Sequence, residues 1–233
     1  TAEHALLLSM MLLRKVQTDL PQRIRDGMLG GFPLPKTLYQ LRVTVVGYGA
    51  VGSTLCQYLS SLGSNVTVVR RRSWKDCSPV KDAIEGGGTI RTADCLEDLL
   101  STTNLLILAC PITSENNHLM NKHRIQMLPR GALLVNVGRG PLVEYDAIRE
   151  AIESGHIAGF ASDVGVGHVS KPSEPWDPHD ALTQHPHTIF TPHAGGNCEL
   201  VIRNMSQIVV DSIERVVTGK PPLNWANAPA GNS

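Results

Sequence analysis

The segment Val43-Thr-Val-Val-Gly47-Tyr48-Gly49-Ala50-Val51-Gly52, followed by Val66-Thr-Val-Val-Arg70-Arg71-Arg72, restricts the possible folds more than any other part of the chain. It reads as an apolar strand, a glycine turn, a helix and a second strand that ends in positive charge. That order predicts a βαβ unit of the kind that binds dinucleotides. Gly47 permits the tight turn out of the strand. Gly49 removes a side chain where backbone must approach a pyrophosphate, and Gly52 lets the helix pack close to the sheet. The helix N-terminus then offers free N–H groups and partial positive charge to the phosphates. Glycines also gather in ordinary turns, so the context matters. Residues 41–46 are mostly β-branched, the helix over 53–62 carries Leu55, Leu59 and Leu62 at helical spacing, and Gly63 ends it.

The end of the second strand bears on which nucleotide is taken. A site for NAD usually places Asp or Glu there, to accept hydrogen bonds from the ribose hydroxyls. This chain has Arg70, with Arg71 and Arg72 behind it. A guanidinium can hold the extra phosphate of NADP bidentately, whereas a carboxylate repels it. The expectation is therefore NADP(H) ahead of NAD(H), with a solvated basic edge as the plainer alternative.

Strand and helix alternate through the rest of the chain. Residues 3–18 read as a mostly apolar helix, followed by a glycine- and proline-rich loop over 27–37. Loop is expected over 73–88, and a helix over 95–100, started by Asp94 with Glu97 three later. Leu105-Leu-Ile-Leu-Ala109 is a continuous apolar strand, as suits a parallel strand covered on both faces. A helix follows over 121–127, a strand over 132–137, a helix over 144–154 closed by Gly155, and strands over 158–164 and 188–190. A long helix over 199–218 puts Val201, Met205, Ile208, Val209, Ser212, Ile213 and Val216 on one face. The expected fold is α/β, a doubly wound parallel sheet of Rossmann type.

Composition excludes several classes of function. The 21 basic and 21 acidic residues balance, which gives no broad surface for nucleic acid. Apolar residues make up 42% of the chain, enough for a real core. The apolar run Ala5–Leu13 is too short to span a bilayer and lacks the flanks of a signal peptide. Five scattered cysteines without CxxC pairs argue for reduced thiols in a cytoplasmic setting and against a metal site. The chain opens on Thr1 rather than Met, as a processed protein or a piece of a longer one would.

Five ordered motifs extend the reading: Gly47-Tyr-Gly-Ala-Val-Gly52, Cys110-Pro-Ile-Thr113, Leu134-Val-Asn-Val-Gly-Arg-Gly140, Ala161-Ser-Asp-Val164 and Thr191-Pro-His-Ala-Gly-Gly196. In this order and spacing the chain resembles the D-isomer-specific 2-hydroxyacid dehydrogenases, from Thr1-Ala-Glu-His-Ala to Asn224. The resemblance implies an NAD(P)-dependent oxidoreductase acting on a small 2-keto or 2-hydroxy acid, often a homodimer through its cofactor domain. It implies that Arg139 grips the substrate carboxylate, a task suited to a permanently charged planar fork. It makes His193 the acid/base, since imidazole titrates in the range that proton delivery to a carbonyl oxygen requires. Gly47, Tyr48, Gly49, Ala50, Val51, Gly52, Arg70, Arg71, Cys110, Pro111, Val137, Gly138, Arg139, Asp163 and His193 are the implied cofactor contacts. Read on residues alone, Arg139 is sooner a strand-end arginine paired with an acidic neighbour such as Glu144.

The chain departs from the family in two places. The family carries a glutamate, or in formate dehydrogenases a glutamine, five residues after the aspartate matched by Asp163; here that position is His168. The glutamate orients the catalytic histidine and raises its pKa, a neighbouring opposite charge being worth about 1–3 units. His168 supplies no such charge, and if protonated it repels a protonated His193. Proton donation is thus expected to lose part of the ~10²–10⁴-fold that general acid catalysis contributes. A local shift that brings in Glu174 is the competing reading. The second departure is the upstream substrate domain, which this sequence does not contain. The expected division is 1–36 as crossover helix and linker, 37–196 as dinucleotide-binding domain and 197–233 as return helix and tail, with both crossover helices lacking the partner for their apolar faces. A non-catalytic nucleotide-responsive regulator of the corepressor type is the alternative function.

Overall fold

In the computed structural model, residues 1–30, 35–70, 88–165 and 177–223 are described. Two compact units divide the chain, residues 1–195 and 196–233. The first holds seven strands: β1 (Arg42–Val46), β2 (Asn65–Val69), β3 (Ile90–Ala93), β4 (Leu105–Leu108), β5 (Ala132–Asn136), β6 (Ile157–Ser162) and β7 (Thr188–Phe190). All pair in parallel, in the order β3-β2-β1-β4-β5-β6-β7. The strands are apolar on both faces because helices cover both. Val43, Val45, Leu105, Ile107, Leu133 and Val135 point into one core layer. Val46, Leu106, Leu108 and Leu134, which alternate with them, point into the other.

On the first face lie α1 (Ala2–Leu13) and α3 (Ala50–Ser61), which bury Leu8, Leu12, Leu55 and Leu59. On the second lie α4 (Glu97–Leu100), α5 (Lys122–Met127) and α6 (Tyr145–Glu153), which bury Leu100, Ile125, Ile148 and Ile152. The helix endings read from Gly63 and Gly155 hold: both glycines have positive φ, at 81° and 65°. The second unit contains α7 (Glu199–Val217). Among its described residues no second helix or strand covers the apolar stripe of α7.

Four expectations need correction. The helix expected over 3–18 stops at Leu13, and a second helix, α2 (Asp19–Arg25), follows. The stop is a Schellman ending in which Val16 N–H donates to Met11 O and Lys15 N–H to Leu12 O. Lys15 takes the left-handed position with φ 51°, where glycine is the usual signal. The apolar face of α1 is not left without a partner, since Ala5, Leu8 and Leu12 are buried in the sheet's own core. Strand β3 was not anticipated, and α4 is a single turn starting at Glu97 rather than at Asp94. Finally, α3 opens at Ala50 rather than Ser53, so the helix begins directly at the glycine turn.

Candidate functional site

The strand order reverses direction at β1, which lies between β2 and β4. In open α/β sheets the crevice at the carboxyl ends of such strands is where ligands bind. A cavity of about 620 Å³ occupies it, lined in part by Gly47, Tyr48, Gly49, Arg70, Cys110 and Pro111. That size lies in the range of small-molecule sites.

The three glycines of the turn have different neighbours. Gly47 has φ 110°, and a Cβ there would lie 2.7 Å from Ala109 O. A Cβ on Gly52 would lie 2.0 Å from Gly47 O, so this glycine seats α3 against the turn. Gly49 is different: a Cβ there would meet nothing within 4 Å. The protein leaves its side bare, next to the cavity and at the uncapped start of α3. A glycine turn, open space and free helix N–H groups together fit a pyrophosphate. Ala50 is exposed in the first turn of α3, and Val51 packs against the core.

The walls are mostly uncharged. Burial raises the Tyr48 phenol above its ordinary value and pushes the Cys110 thiol up to about 11, so both are neutral at pH 7. Arg70 stands on the β2 side, while Arg71 lies outside the described residues. Also in the lining are Asp94, Cys95 and Glu97, which the sequence suggested only as a helix start. They reach the cavity because they follow β3, the strand that went unrecognised. Hydrogen bonds from the Cys95 thiol and from Arg124 hold the Glu97 carboxyl down at about 2.

A second group gathers at the end of β5. Asn136, fully buried, donates from its amide to Arg139 O at 2.9 Å and accepts from Gly138 N–H at 3.1 Å. This shapes the turn that carries Arg139. Val137 is buried, its N–H bonded to Leu108 O. Gly138 adjoins the cavity residues, since a Cβ on it would come 2.6 Å from Cys110 O. The Arg139 guanidinium is exposed and donates to Gly138 O at 2.6 Å. Its sequence-level partner Glu144 instead accepts from Lys122 N–H, and Arg139 makes no ion pair among the described residues.

The third group lies at the ends of β6 and β7. Asp163 is 2% exposed. Its Oδ1 accepts from the Thr191 hydroxyl at 2.6 Å and from Ala194 N–H at 2.8 Å, and its Oδ2 accepts from Gly195 N–H at 2.8 Å. The carboxylate therefore staples the turn that carries His193. His193 itself is exposed, with φ 56° and its N–H bonded to Thr191 O. Asn136, Thr191 and His4 were not singled out from the sequence: Asn136 bonds to the backbone of its own turn, whereas Thr191 and His4 act through side-chain bonds that end on Asp163. His168 and Glu174 lie outside the described residues. Arg139, Asp163 and His193 are not among the cavity's lining residues but stand at the next three strand ends of the sheet. Among the described residues there is no cluster of metal-ligating side chains, and no helix is long and apolar enough to cross a membrane.

A parallel sheet in this order, with a glycine turn under an open crevice at its switch point, defines a Rossmann-type dinucleotide-binding domain. The chain belongs to the D-isomer specific 2-hydroxyacid dehydrogenases, whose NAD binding domain model matches residues 6–195. It is 28% identical to D-3-phosphoglycerate dehydrogenase of Bacillus subtilis over 231 residues, which is 99% of this chain and 41% of that protein. It is 27% identical to glyoxylate reductase of Aeropyrum pernix over 205 residues, 88% of this chain and 57% of the relative. The chain thus spans less than two thirds of the length of these relatives. Among solved structures, the D-isomer specific 2-hydroxyacid dehydrogenase of Xanthobacter autotrophicus Py2 in complex with NADPH and MES is 29% identical, with a TM-score of 0.75, covering 96% of this chain and 85% of that one.

Proposed function

We propose that this chain is the cofactor-binding part of an oxidoreductase that moves a hydride between a nicotinamide dinucleotide and a small 2-hydroxy or 2-keto acid, with NADP(H) preferred to NAD(H). The observation that carries this reading is the bare side of Gly49 at the mouth of the crevice. Gly49 and the first turn of α3 hold the pyrophosphate, and Arg70 holds the 2′-phosphate. Cys110, Pro111, Val137 and Gly138 form the wall toward the nicotinamide. The nicotinamide, when bound, supplies the hydride.

The remaining chemistry falls to the protein's own groups. Arg139, with no internal ion pair among the described residues, binds the substrate carboxylate and draws charge from the neighbouring carbonyl. His193 gives its proton to the carbonyl oxygen as the alcohol forms. Asp163 contributes by holding the turn under His193. The relatives named for glyoxylate and phosphoglycerate favour a short 2-oxo acid as substrate.

Calorimetric titration tests the cofactor reading. NADPH is expected to bind more tightly than NADH, and Arg70→Ser is expected to weaken NADPH by about 10- to 100-fold, the worth of a charged hydrogen-bonded contact, while leaving NADH nearly unchanged. No heat with either coenzyme at millimolar concentration overturns the reading. His168 in place of the family's glutamate supports a second reading, a nucleotide-responsive regulator without turnover. A panel of 2-keto acids separates the two. His168→Glu should raise turnover in an impaired enzyme and leave a regulator silent.

A further inference from the structure

We infer that His4, near the start of α1, is a positioning residue for His193; the inference rests on the reading of His193 as proton donor. His4 stands 187 residues from Thr191 in sequence, yet its Nε2 lies 2.9 Å from Thr191 Oγ1 and 3.4 Å from Asp163 Oδ1. The Thr191 hydroxyl has one hydrogen, and the 2.6 Å bond gives it to Asp163. Thr191 therefore accepts from His4, and His4 carries its hydrogen on Nε2. The result is a directed chain, His4 N–H to Thr191 O–H to the Asp163 carboxylate, in which each bond polarises the next.

This chain closes a clamp around His193. Asp163 takes the Thr191 side chain on one side of His193 and the N–H groups of Ala194 and Gly195 on the other. The His4 ring also packs on the turn: a Cβ added to Gly195 would come 3.2 Å from His4 Cδ2 and 2.7 Å from Asp163 Oδ2. Between these anchors His193 is kept at φ 56°, a conformation that residues with side chains seldom hold unsupported. Where the family places a carboxylate against the catalytic imidazole, this sequence has His168. The clamp on the flanking backbone is one device by which the described residues fix His193. Proton transfer is sensitive to such fixing, because a displacement of about 1 Å at a reacting group can cost on the order of 10²-fold in rate.

The test uses the full chain and four variants. His4→Phe keeps a ring against Gly195 and removes the donor, whereas His4→Gln keeps an N–H donor at similar reach. In His4→Phe, amide hydrogen exchange at Ala194 and Gly195 should quicken about five- to tenfold, as expected on losing one hydrogen bond, with no change at Val45 or Ile107. For 2-keto acid reduction, kcat should fall about tenfold while KM and the dissociation constant for NADPH stay within about twofold. His4→Gln should restore both exchange and kcat. A purely structural role would lower stability and leave kcat untouched well below the melting temperature. Unchanged exchange at Ala194 and Gly195 in His4→Phe overturns the inference, as does quickened exchange with unchanged kcat. If His4→Phe does not fold, His4→Leu removes the same donor and decides by the same exchange measurement. His193→Asn is read separately. Turnover that survives it removes the proton-donor reading, while the exchange data still decide whether His4 anchors the turn.

Discussion

Glu97 connects the cavity wall to the core beneath it. Hydrogen bonds from the Cys95 thiol and Arg124 bring its carboxyl from the ordinary 4.5 down to about 2. A depressed acid of this kind stabilises the fold above its unfolded pKa, and that contribution is lost as the pH falls through the folded value. The window therefore runs from about pH 4.5 down to about 2. The side chain is 38% exposed, and solvent screening holds the contribution to about 1 kcal/mol. Urea unfolding of wild type and Glu97→Gln should differ by about that amount at pH 7 and converge by pH 2. Parallel curves across this range would remove the pair from the stability balance. Glu97 also marks how far single residues were legible. Gly47, Gly49 and Gly52 were readable because their spacing falls within six consecutive residues between an apolar strand and a helix. The partnership of Glu97 with Arg124 was not, because it spans 27 residues and depends on where α4 and α5 meet. The bond between Thr191 and Asp163, 28 residues apart, was hidden for the same reason.

Elements were legible where local chemistry and burial agree. Leu105–Leu108 and Ala132–Asn136 are buried from end to end, and the unbroken apolar run of the first announced a strand covered on both faces. Strand β3 reads Ile-Arg-Thr-Ala, is half-exposed and, among the described residues, pairs with β2 alone, so no apolar run marked it. The stop of α1 at Leu13 was hidden because a lysine holds a position at which glycine would have been the clue. The β1–α3 junction allows a sharper test, since its glycines serve different ends. Gly49→Ala places a methyl in open space, so the fold should lose less than about 1 kcal/mol, the difference between glycine and alanine at a helix start. The same methyl occupies the expected pyrophosphate position and should weaken NADPH by at least about tenfold. Gly52→Ala drives a methyl into Gly47 O and should destabilise by about 1–3 kcal/mol, the usual cost of overpacking. Thermal melts and calorimetry on the two variants separate a binding glycine from a packing glycine. Equal loss of binding and stability in both would contradict the division.

At the scale of the whole molecule, the doubly wound sheet follows from alternating strands and helices, and the family motifs fall at its carboxyl edge in strand order. The place of residues 1–36 does not follow so directly. Their resemblance to a crossover from another domain predicts a helix that this sheet can spare. The structure instead buries Leu8, Leu12 and Leu13 of α1 in the core above β5, β6 and α3, and brings His4 to Asp163. At about 1.5–3 kcal/mol for each buried leucine, the contribution is comparable with the roughly 5–15 kcal/mol that separates most folded domains from unfolded chains. A chain starting at Thr37 should therefore lose its cooperative urea transition and bind a dye for exposed apolar surface, whereas a chain starting at Thr1 should unfold in one step. If the shorter chain unfolds cooperatively with a similar midpoint, α1 is dispensable and the boundary expected at residue 36 stands. Loss of the transition would make α1 part of the dinucleotide domain itself, and the pairing of His4 with Thr191 would then belong to that domain's own architecture.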